Sequence, residues 1–510
     1  MSAIGTILAK AFNGLQAHVF LPASLALLSL ISIFRKRPNA ISMGPIPANT
    51  ATPRLETTGR QLLTLEKDGP IQMGFWVPNR VYATVKYLVP LRQHIETLRA
   101  QNALRPVHDT ISTFKQFIEA NGIYRMLVNR MLDEANAFIA TCDPATIAEI
   151  QAFGDTTVYS YDDFFTYLNE IINTTPSFND TAQVGTPMNG LLAVAMGTPS
   201  GADLFHDSTF NAQFKLVLDA WNSFLKSPQS LDKLDIQNPE KQGSWISQAA
   251  FAAGVWNQMS YDPTEQGFGY ESWNDFFIRP FVPGARPFLG DPTVSVDVGC
   301  ETTPWSYANN VDAETPFWIK DVEYSLFDLF GGQQDKADLF TGGQVYQGFL
   351  SATHYHRWSA PLDGQLIESW VQPGTYFAQR PDQGEGVGTW EGTESQPYLG
   401  HVASRAIFIF KHPTCGYVAL ICIGMVEVST CVIAPDCLVP SGSPPLDITR
   451  GTEIGHFEFG GSTHIMVFQN GKVTLADWAV NAAQHQNDPQ PTPMGTVIAT
   501  AIVGDDADEC

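Results

Sequence analysis

The stretch GHFEFGGSTHIMVFQNG, residues 455–471, carries the clearest structural signal in this chain. Apolar residues alternate with other residues in GHFEF and in HIMVF, which is the period-two pattern of a β-strand. A pair of glycines and Ser462 separate the two segments. VALICIGMVEVSTCVIA, residues 418–434, has a similar pattern, and glycine and proline become frequent from about residue 265. These features predict a β-rich second half.

The first half of the chain has a different spacing. Apolar residues recur every three or four positions in residues 112–138 and 210–227, as they do on one face of an amphipathic helix. We therefore expect an α+β protein in which an N-terminal helical domain, 71–265, packs on a β-rich catalytic domain, 266–510. Residues 1–70 would form an N-terminal tail.

Composition narrows the class of protein. Of the 510 residues, 44% are hydrophobic and only 16% are charged, which excludes wholesale disorder. The chain has 52 acidic and 29 basic residues and a formal net charge of -23, so we expect no binding to nucleic-acid phosphates. The seven cysteines include no Cys-x-x-Cys pair, so neither a disulfide framework nor a structural zinc site is expected. This use of cysteine favours a reducing compartment, the cytoplasm.

One apolar run in the tail bears on location. Val19–Phe34 carries no charged residue and is followed at once by Arg35, Lys36 and Arg37. As a helix it would rise about 24 Å, somewhat less than a hydrocarbon core of about 30 Å. We expect either a membrane tether that leaves the rest of the chain in the cytoplasm, or a targeting or disordered tail.

Three motifs in the second half point to one family. They are YESWNDFFIRPFVPGARP (270–287), GFLSATHYHRWSAPLDG (348–364) and RGTEIGHFEFGGST (450–463). In this order and at this spacing they resemble the signatures of the phosphatidylserine decarboxylase family. The resemblance is nearer to its fungal branch of soluble aromatic amino-acid decarboxylases, including L-tryptophan decarboxylases, which shares PGTYFAQ (373–379) and IGMVEVSTC (423–431).

The resemblance implies an enzyme that makes a pyruvoyl group from its own chain. Amino-acid decarboxylation needs an electron sink for the carbanion that CO2 leaves behind, and here the sink would derive from Ser462. The Ser462 hydroxyl would attack the Gly461 carbonyl, and elimination would then split the chain. Glycine suits position 461 because a Cβ would obstruct that approach. The two products would stay assembled, and we expect neither pyridoxal phosphate nor a metal.

Further site residues follow from the family motifs. His356 matches the histidine that exchanges protons during decarboxylation, and an imidazole suits that role because its pKa lies near neutrality. Glu301 stands where the family has an acidic residue that orients a base. Tyr376 and Phe377 match a loop that faces the substrate. The alternatives are a core or turn histidine, a solvated carboxylate and a pair of core aromatics.

One position departs from the family pattern. The histidine that would activate the cleavage serine is replaced by Ser359, and serine is a poor base at neutral pH. His354 could substitute, although as part of one strand it would share a face with His356 and not with position 359, so a loop or bulge would be needed. His464 is a second candidate. A metal site on the two histidines of HYH lacks a third ligand nearby in sequence.

Three functions remain open at this point. The first is decarboxylation of a free, aromatic L-amino acid, which the negative charge and the fungal resemblance favour. The second is decarboxylation of phosphatidylserine to phosphatidylethanolamine, which the apolar run in the tail favours. The third is an unprocessed relative that only binds a ligand, which Ser359 favours.

Overall fold

A computed structural model gives the fold of the chain. It describes residues 87–140, 147–148, 158–178, 186–314, 324–350, 354–378, 396–481 and 491–502. These residues all belong to one compact unit, 61–510. The predicted tail, 1–70, and its apolar run Val19–Phe34 lie outside the described residues. No helix within the described part of the chain is long and apolar enough to cross a membrane.

The first half of the described chain is helical. The α-helices, in chain order, are α1 Val89–Ala100, α2 Asp109–Ala120, α3 Gly122–Ile139, α4 Tyr161–Ile171, α5 Pro187–Leu192, α6 Pro199–His206, α7 Ser208–Leu225, α8 Gln248–Ala252, α9 Trp273–Phe277, α10 Leu326–Leu329, α11 Gln334–Asp338, α12 Gln396–Val402 and α13 Asp477–Val480. The two long amphipathic helices, α3 and α7, each have a side-chain cap at the N-terminus. Asn121 accepts from the Ile123 N–H, and Asp207 accepts from the Phe210 N–H. The apolar face of α7 packs on Phe114 of α2 and Phe205 of α6 in an aromatic cluster.

The second half is dominated by strands. They are β1 Ser295–Asp297, β2 Thr303–Val311, β3 Gly343–Leu350, β4 Arg357–Ser359, β5 Gly364–Gln372, β6 Arg405–His412, β7 Gly416–Gly424, β8 Cys431–Ile433, β9 Leu446–Ile448, β10 Glu453–Phe457, β11 Ser462–Phe468, β12 Val473–Leu475 and β13 Val497–Ala501. The largest sheet is antiparallel, in the order β2-β3-β11-β7-β6-β5-β9, and two three-stranded sheets have the orders β1-β13-β12 and β4-β10-β8. The predicted α+β class is confirmed, whereas the division at 265/266 stays a prediction.

The central sheet separates two hydrophobic cores. Along β11, Ile465 and Val467 belong to the core shared with the helices, while Met466 and Phe468 belong to the core shared with the small sheets. This alternation follows from the two-residue period of a strand. Ser462 has the same parity as Met466, so its side chain starts on the side of the small sheets.

Antiparallel pairing brings the predicted motifs to one edge of the central sheet. Ser462 opens β11 and pairs with Leu350 at the end of β3 and with Gly424 at the end of β7. Thr303, near the start of β2, pairs with Phe349. The segments that follow or precede these strand ends therefore meet around Ser462. We call this the processing edge of the sheet.

Candidate active site

Ser462 lies at the start of β11 and is 1% exposed. The preceding backbone runs so close to a neighbouring turn that a Cβ at Gly460 would lie 2.2 Å from the Val426 carbonyl oxygen. Only glycine fits this approach, since real Cβ contacts are never so short. The first glycine of the predicted pair is therefore required by packing.

The neighbouring turn, residues 424–430, holds the peptide that the sequence predicts to be cut. The Met425 N–H donates to the Gly461 carbonyl oxygen at 3.0 Å, and the Val428 N–H donates to the Phe459 oxygen at 2.9 Å. A donor on a carbonyl oxygen polarises the carbonyl and stabilises the negative charge that develops when a nucleophile adds to its carbon. The Met425 N–H therefore lies where an oxyanion would form if a nucleophile attacked Gly461.

His356 sits in an aromatic pocket made by the first family motif. It is fully buried and stacks on Phe277 of α9, with ring centroids 3.9 Å apart, while Phe277 also packs against Phe459. Neither ring nitrogen has a hydrogen-bond partner among the described residues. Burial, with the nearby Arg279 guanidinium, holds the pKa of His356 well below its usual value. The residue is a neutral imidazole with both nitrogens available, unlike a core histidine whose polar atoms are satisfied.

Glu301 is paired rather than solvated. Arg286 donates to its carboxylate through Nε and, at 2.8 Å, through Nη2, and the carboxylate is only 12% exposed. The Glu301 carboxylate is close enough to His354 for its charge to raise the pKa of that imidazole, against the larger lowering effect of burial. The structure thus brings together the acidic residue and one candidate replacement for the missing base.

The position of the missing histidine lies beside the same loop. Ser359 ends β4, is buried, and its N–H donates to the Gly299 carbonyl oxygen at 2.9 Å. The strand begins only at Arg357, so His354 and His356 precede it. The alternation assumed from the sequence for these two histidines is therefore wrong, because a period of two applies only inside a strand. His354 lies in the loop that its substitute role required.

His464 is the second candidate base and lies on the strand itself. It is two residues after Ser462 on the same face, between Gly348 and Cys422 on the neighbouring strands. Its ring is fully buried, and neither nitrogen has a partner in the described part of the chain. Burial lowers its pKa to about 3, so the ring is neutral.

The predicted substrate loop lies under helix α7. Phe377 is fully buried and packs on Phe205 and Phe214, which is the core packing left open by the sequence. The Tyr376 N–H donates to the Asn211 side chain at 3.2 Å, and the Lys215 ammonium lies 5.7 Å from the Tyr376 ring centroid. Burial raises the pKa of Tyr376 to about 12. The phenol is therefore neutral, and of the two residues Tyr376 is the less tightly packed.

Sequence reasoning missed the contacts between helical residues and the processing edge. Glu458, just before the Phe459 that the turn holds, is buried and accepts from Asn222 and Lys226 at the end of α7. Glu427, inside the turn, is fully buried as well. A single charged residue inside the apolar run IGMVEV was the available signal, since a carboxylate is rarely buried without a partner.

No group of three or more potential metal ligands occurs among the described residues.

Comparison with known proteins identifies the family. A phosphatidylserine decarboxylase family model matches residues 273–498, and a second model of the same description matches 108–253. The chain is 34% identical over 304 residues to the decarboxylase iboD of Amanita muscaria, covering 56% of this chain and 84% of that protein. The chain belongs to the phosphatidylserine decarboxylase family. The resemblance inferred from the motifs is confirmed.

Other members of the family differ in their named substrates. The chain is 29% identical over 326 residues to the L-tryptophan decarboxylase of Psilocybe cubensis, which covers 60% of this chain and 72% of that protein. It is 32% identical over 212 residues to the phosphatidylserine decarboxylase proenzyme of Hahella chejuensis, covering 40% and 67%. The family is pyruvoyl-dependent. This chain is a pyruvoyl-dependent decarboxylase.

Proposed function

We propose that this chain cuts itself between Gly461 and Ser462 and then decarboxylates a free aromatic L-amino acid. The observation that carries the proposal is the hydrogen bond from the Met425 N–H to the carbonyl of Gly461, directly before the buried Ser462. Nucleophile, scissile carbonyl and oxyanion donor lie together at the processing edge.

The cleavage conserves atoms without an outside oxidant or reductant. The Ser462 oxygen bonds to the Gly461 carbonyl carbon and the peptide C–N bond breaks, which leaves an ester and a free amine on residue 462. Removal of the Cα proton then expels the Gly461 carboxylate and leaves a dehydroalanine. Its tautomer takes up water and releases ammonia, so the second chain begins with a pyruvoyl group.

We assign the base for the first step to His354. Glu301 lies near this imidazole and is itself held by Arg286, which is the arrangement that orients a base beside a weak nucleophile. Because His354 lies in the loop before β4, the alternation of side chains along the strand does not fix the direction of its side chain. His464 shares the face of Ser462, but burial alone accounts for the shift of its pKa, and no described carboxylate contributes to it as Glu301 does for His354.

His356 is suited to the second reaction. Once formed, the pyruvoyl ketone supplies the electron sink for the carbanion that CO2 leaves behind. His356 lies in a pocket of aromatic rings that excludes water, and its unpartnered nitrogens can hold and return a proton.

Two observations support a small aromatic substrate. Helix α7 covers the loop that carries Tyr376, so the substrate loop of the family lies under the helical layer. Two L-tryptophan decarboxylases from Psilocybe are among the relatives. The bacterial phosphatidylserine decarboxylase proenzymes among the relatives favour the lipid as a second candidate.

Intact mass and product analysis test the proposal. The purified wild-type chain should give two chains that end and begin at 461/462, the smaller one blocked at its N-terminus, and Ser462→Ala should stay whole at 56.0 kDa. The cleaved enzyme should release CO2 from L-tryptophan and not from phosphatidylserine vesicles. Release of CO2 from phosphatidylserine vesicles alone would establish the lipid reaction. A wild-type chain that stays whole would contradict self-cleavage and favour the unprocessed relative that only binds a ligand.

A further inference from the structure

Glu427 lies at the tip of the turn 424–430, in an energetically unfavourable environment and backbone conformation. Its side chain is fully buried, and its backbone lies in the left-handed region with φ of 63°. This conformation is uncommon for a residue other than glycine, and a buried polar group needs a hydrogen-bond partner. Burial raises the pKa of Glu427 to about 8, so its side chain is mostly the neutral acid at pH 7. A glutamate at this position therefore needs a compensating contact.

That contact reaches across to the helical layer. One oxygen of the carboxyl group accepts from the Asn189 N–H at 2.8 Å and the other from the Met188 N–H at 3.3 Å, both in the first turn of α5. The amides at the start of a helix have no partner inside the helix, so a carboxyl group is a natural acceptor for them. Glu427 thus fastens the turn to a segment more than 200 residues earlier in the sequence.

The other side of the same turn holds the scissile peptide. Met425 donates to Gly461 and Val428 donates to Phe459, while the Ser429 hydroxyl closes the turn on the Val426 oxygen at 2.7 Å. Ser429 is also left-handed, with φ of 52°. Two residues in an uncommon conformation make this shape unfavourable for an isolated turn, so outside contacts must maintain it.

We propose that Glu427 is a positioning residue for self-cleavage, which couples the helical layer to the oxyanion donor on Gly461. The inference rests on the proposed function. When the Glu427 side chain binds α5, the turn stays closed and the Met425 N–H stays on the Gly461 carbonyl. Loss of one such donor typically slows acyl transfer about 10²–10³-fold. The helical layer would then control processing without touching Ser462.

Three substitutions separate this role from simple support of the fold. Glu427→Gln keeps the length and one acceptor oxygen for the Asn189 N–H. Glu427→Asp is too short to reach α5, yet aspartate tolerates the left-handed conformation better than glutamate. Glu427→Ala removes the contact altogether. Glu170→Gln is the matched control, a buried glutamate of the helical layer that bonds Arg105 and not the turn.

The measurement is the rate of chain cleavage after synthesis, followed by intact mass with and without hydroxylamine, which cleaves an ester but not the peptide. Thermal unfolding of each variant is measured in the uncleavable Ser462→Ala background. We expect Glu427→Gln and Glu170→Gln to cleave within threefold of wild type. Glu427→Asp and Glu427→Ala should cleave at least tenfold more slowly, with no hydroxylamine-sensitive ester accumulating.

The outcomes separate the inference from the function on which it rests. Wild-type-like cleavage by Glu427→Asp would overturn the inference, and so would equal slowing in Glu427→Gln and Glu427→Asp. Because the aspartate variant relieves backbone strain, it keeps the test valid if Glu427→Ala does not fold. A wild-type chain that stays whole would overturn the proposed function itself.

Discussion

The two edges of the central sheet are built differently. At the far edge, Gly416, Gly471 and Asn310 take the left-handed conformation, which asparagine tolerates better than most residues, and Tyr417 and Gln469 bond each other across the strands. At the processing edge, the left-handed residues are Glu427 and Ser429. Glycine adopts this conformation without a steric cost, whereas other residues need support from their surroundings. The turns at the far edge only connect strands, whereas the turn at the processing edge holds residues in unfavourable conformations next to the predicted cleavage site.

The buried histidines show the same contrast. At the far edge, Nδ1 of His412 accepts from the Cys415 N–H at 3.1 Å, and its other nitrogen lies 3.0 Å from the Pro292 oxygen. At the processing edge, the nitrogens of His356 and His464 have no partner among the described residues. Leaving such groups unpaired destabilises the fold, so a function is the natural explanation for them.

The largest effect is expected from Ser462→Ala. The variant lacks the nucleophile, so we expect no cleavage and no decarboxylation, while the fold stays intact because only one buried oxygen is removed. Intact mass and CO2 release measure both effects. Cleavage of the Ser462→Ala chain would show that the cleavage site does not lie at the processing edge.

His356→Gln should separate the two reactions. Self-cleavage should proceed at close to the wild-type rate, whereas kcat for decarboxylation should fall about 10²–10⁴-fold because a proton-transfer group is lost. The cleaved fraction and the rate of CO2 release per cleaved chain are the readouts.

His412→Gln is the matched control at the far edge. It should lower the unfolding temperature and leave kcat per cleaved chain unchanged. An equal fall in kcat for both histidine variants would contradict the contrast between the edges.

His354→Gln should slow self-cleavage about tenfold or more, whereas His464→Gln should leave the rate near wild type. Because burial lowers the pKa of His354 below 6.5, the base is neutral at pH 7. The wild-type rate should therefore be flat above pH 6.5 and fall only as acid protonates the imidazole. If His464→Gln alone slows cleavage, His464 and not His354 is the base. Adding Ser359→His to the His354→Gln chain should restore cleavage, because it supplies a histidine at the family position.

The smallest effect is expected from Gly471→Ala. A Cβ there meets no atom within 4 Å, so the cost comes only from its φ of 67°. We expect a loss of about 1–2 kcal/mol in unfolding free energy, with cleavage unchanged. Gly122→Ala, in an equally open place at the start of α3, is the control and should not destabilise. Slower cleavage in Gly471→Ala would show that the two edges are coupled.

Much of the fold was predictable from local patterns. The spacing of apolar residues predicted the helices α3 and α7 and the strand β11, because burial on one face imposes a period of 3.6 or 2 on the sequence. The place of His354 was not predictable, since nothing in HYHRW shows that the strand begins only at Arg357. The burial of Phe377 also depends on helix residues that lie far away in sequence.

The sequence by itself determined the chemistry available to this protein: a Gly-Gly-Ser segment between strands, the histidines of HYH and the family to which these motifs belong. These depend on residue types and short spacings, which local sequence contains. Only the tertiary structure decided which amide faces the Gly461 carbonyl, which carboxylate lies near His354, and that Glu427 bonds α5. One of those contacts joins segments more than 200 residues apart in sequence. All of them exist only when the two cores bring the strand ends together.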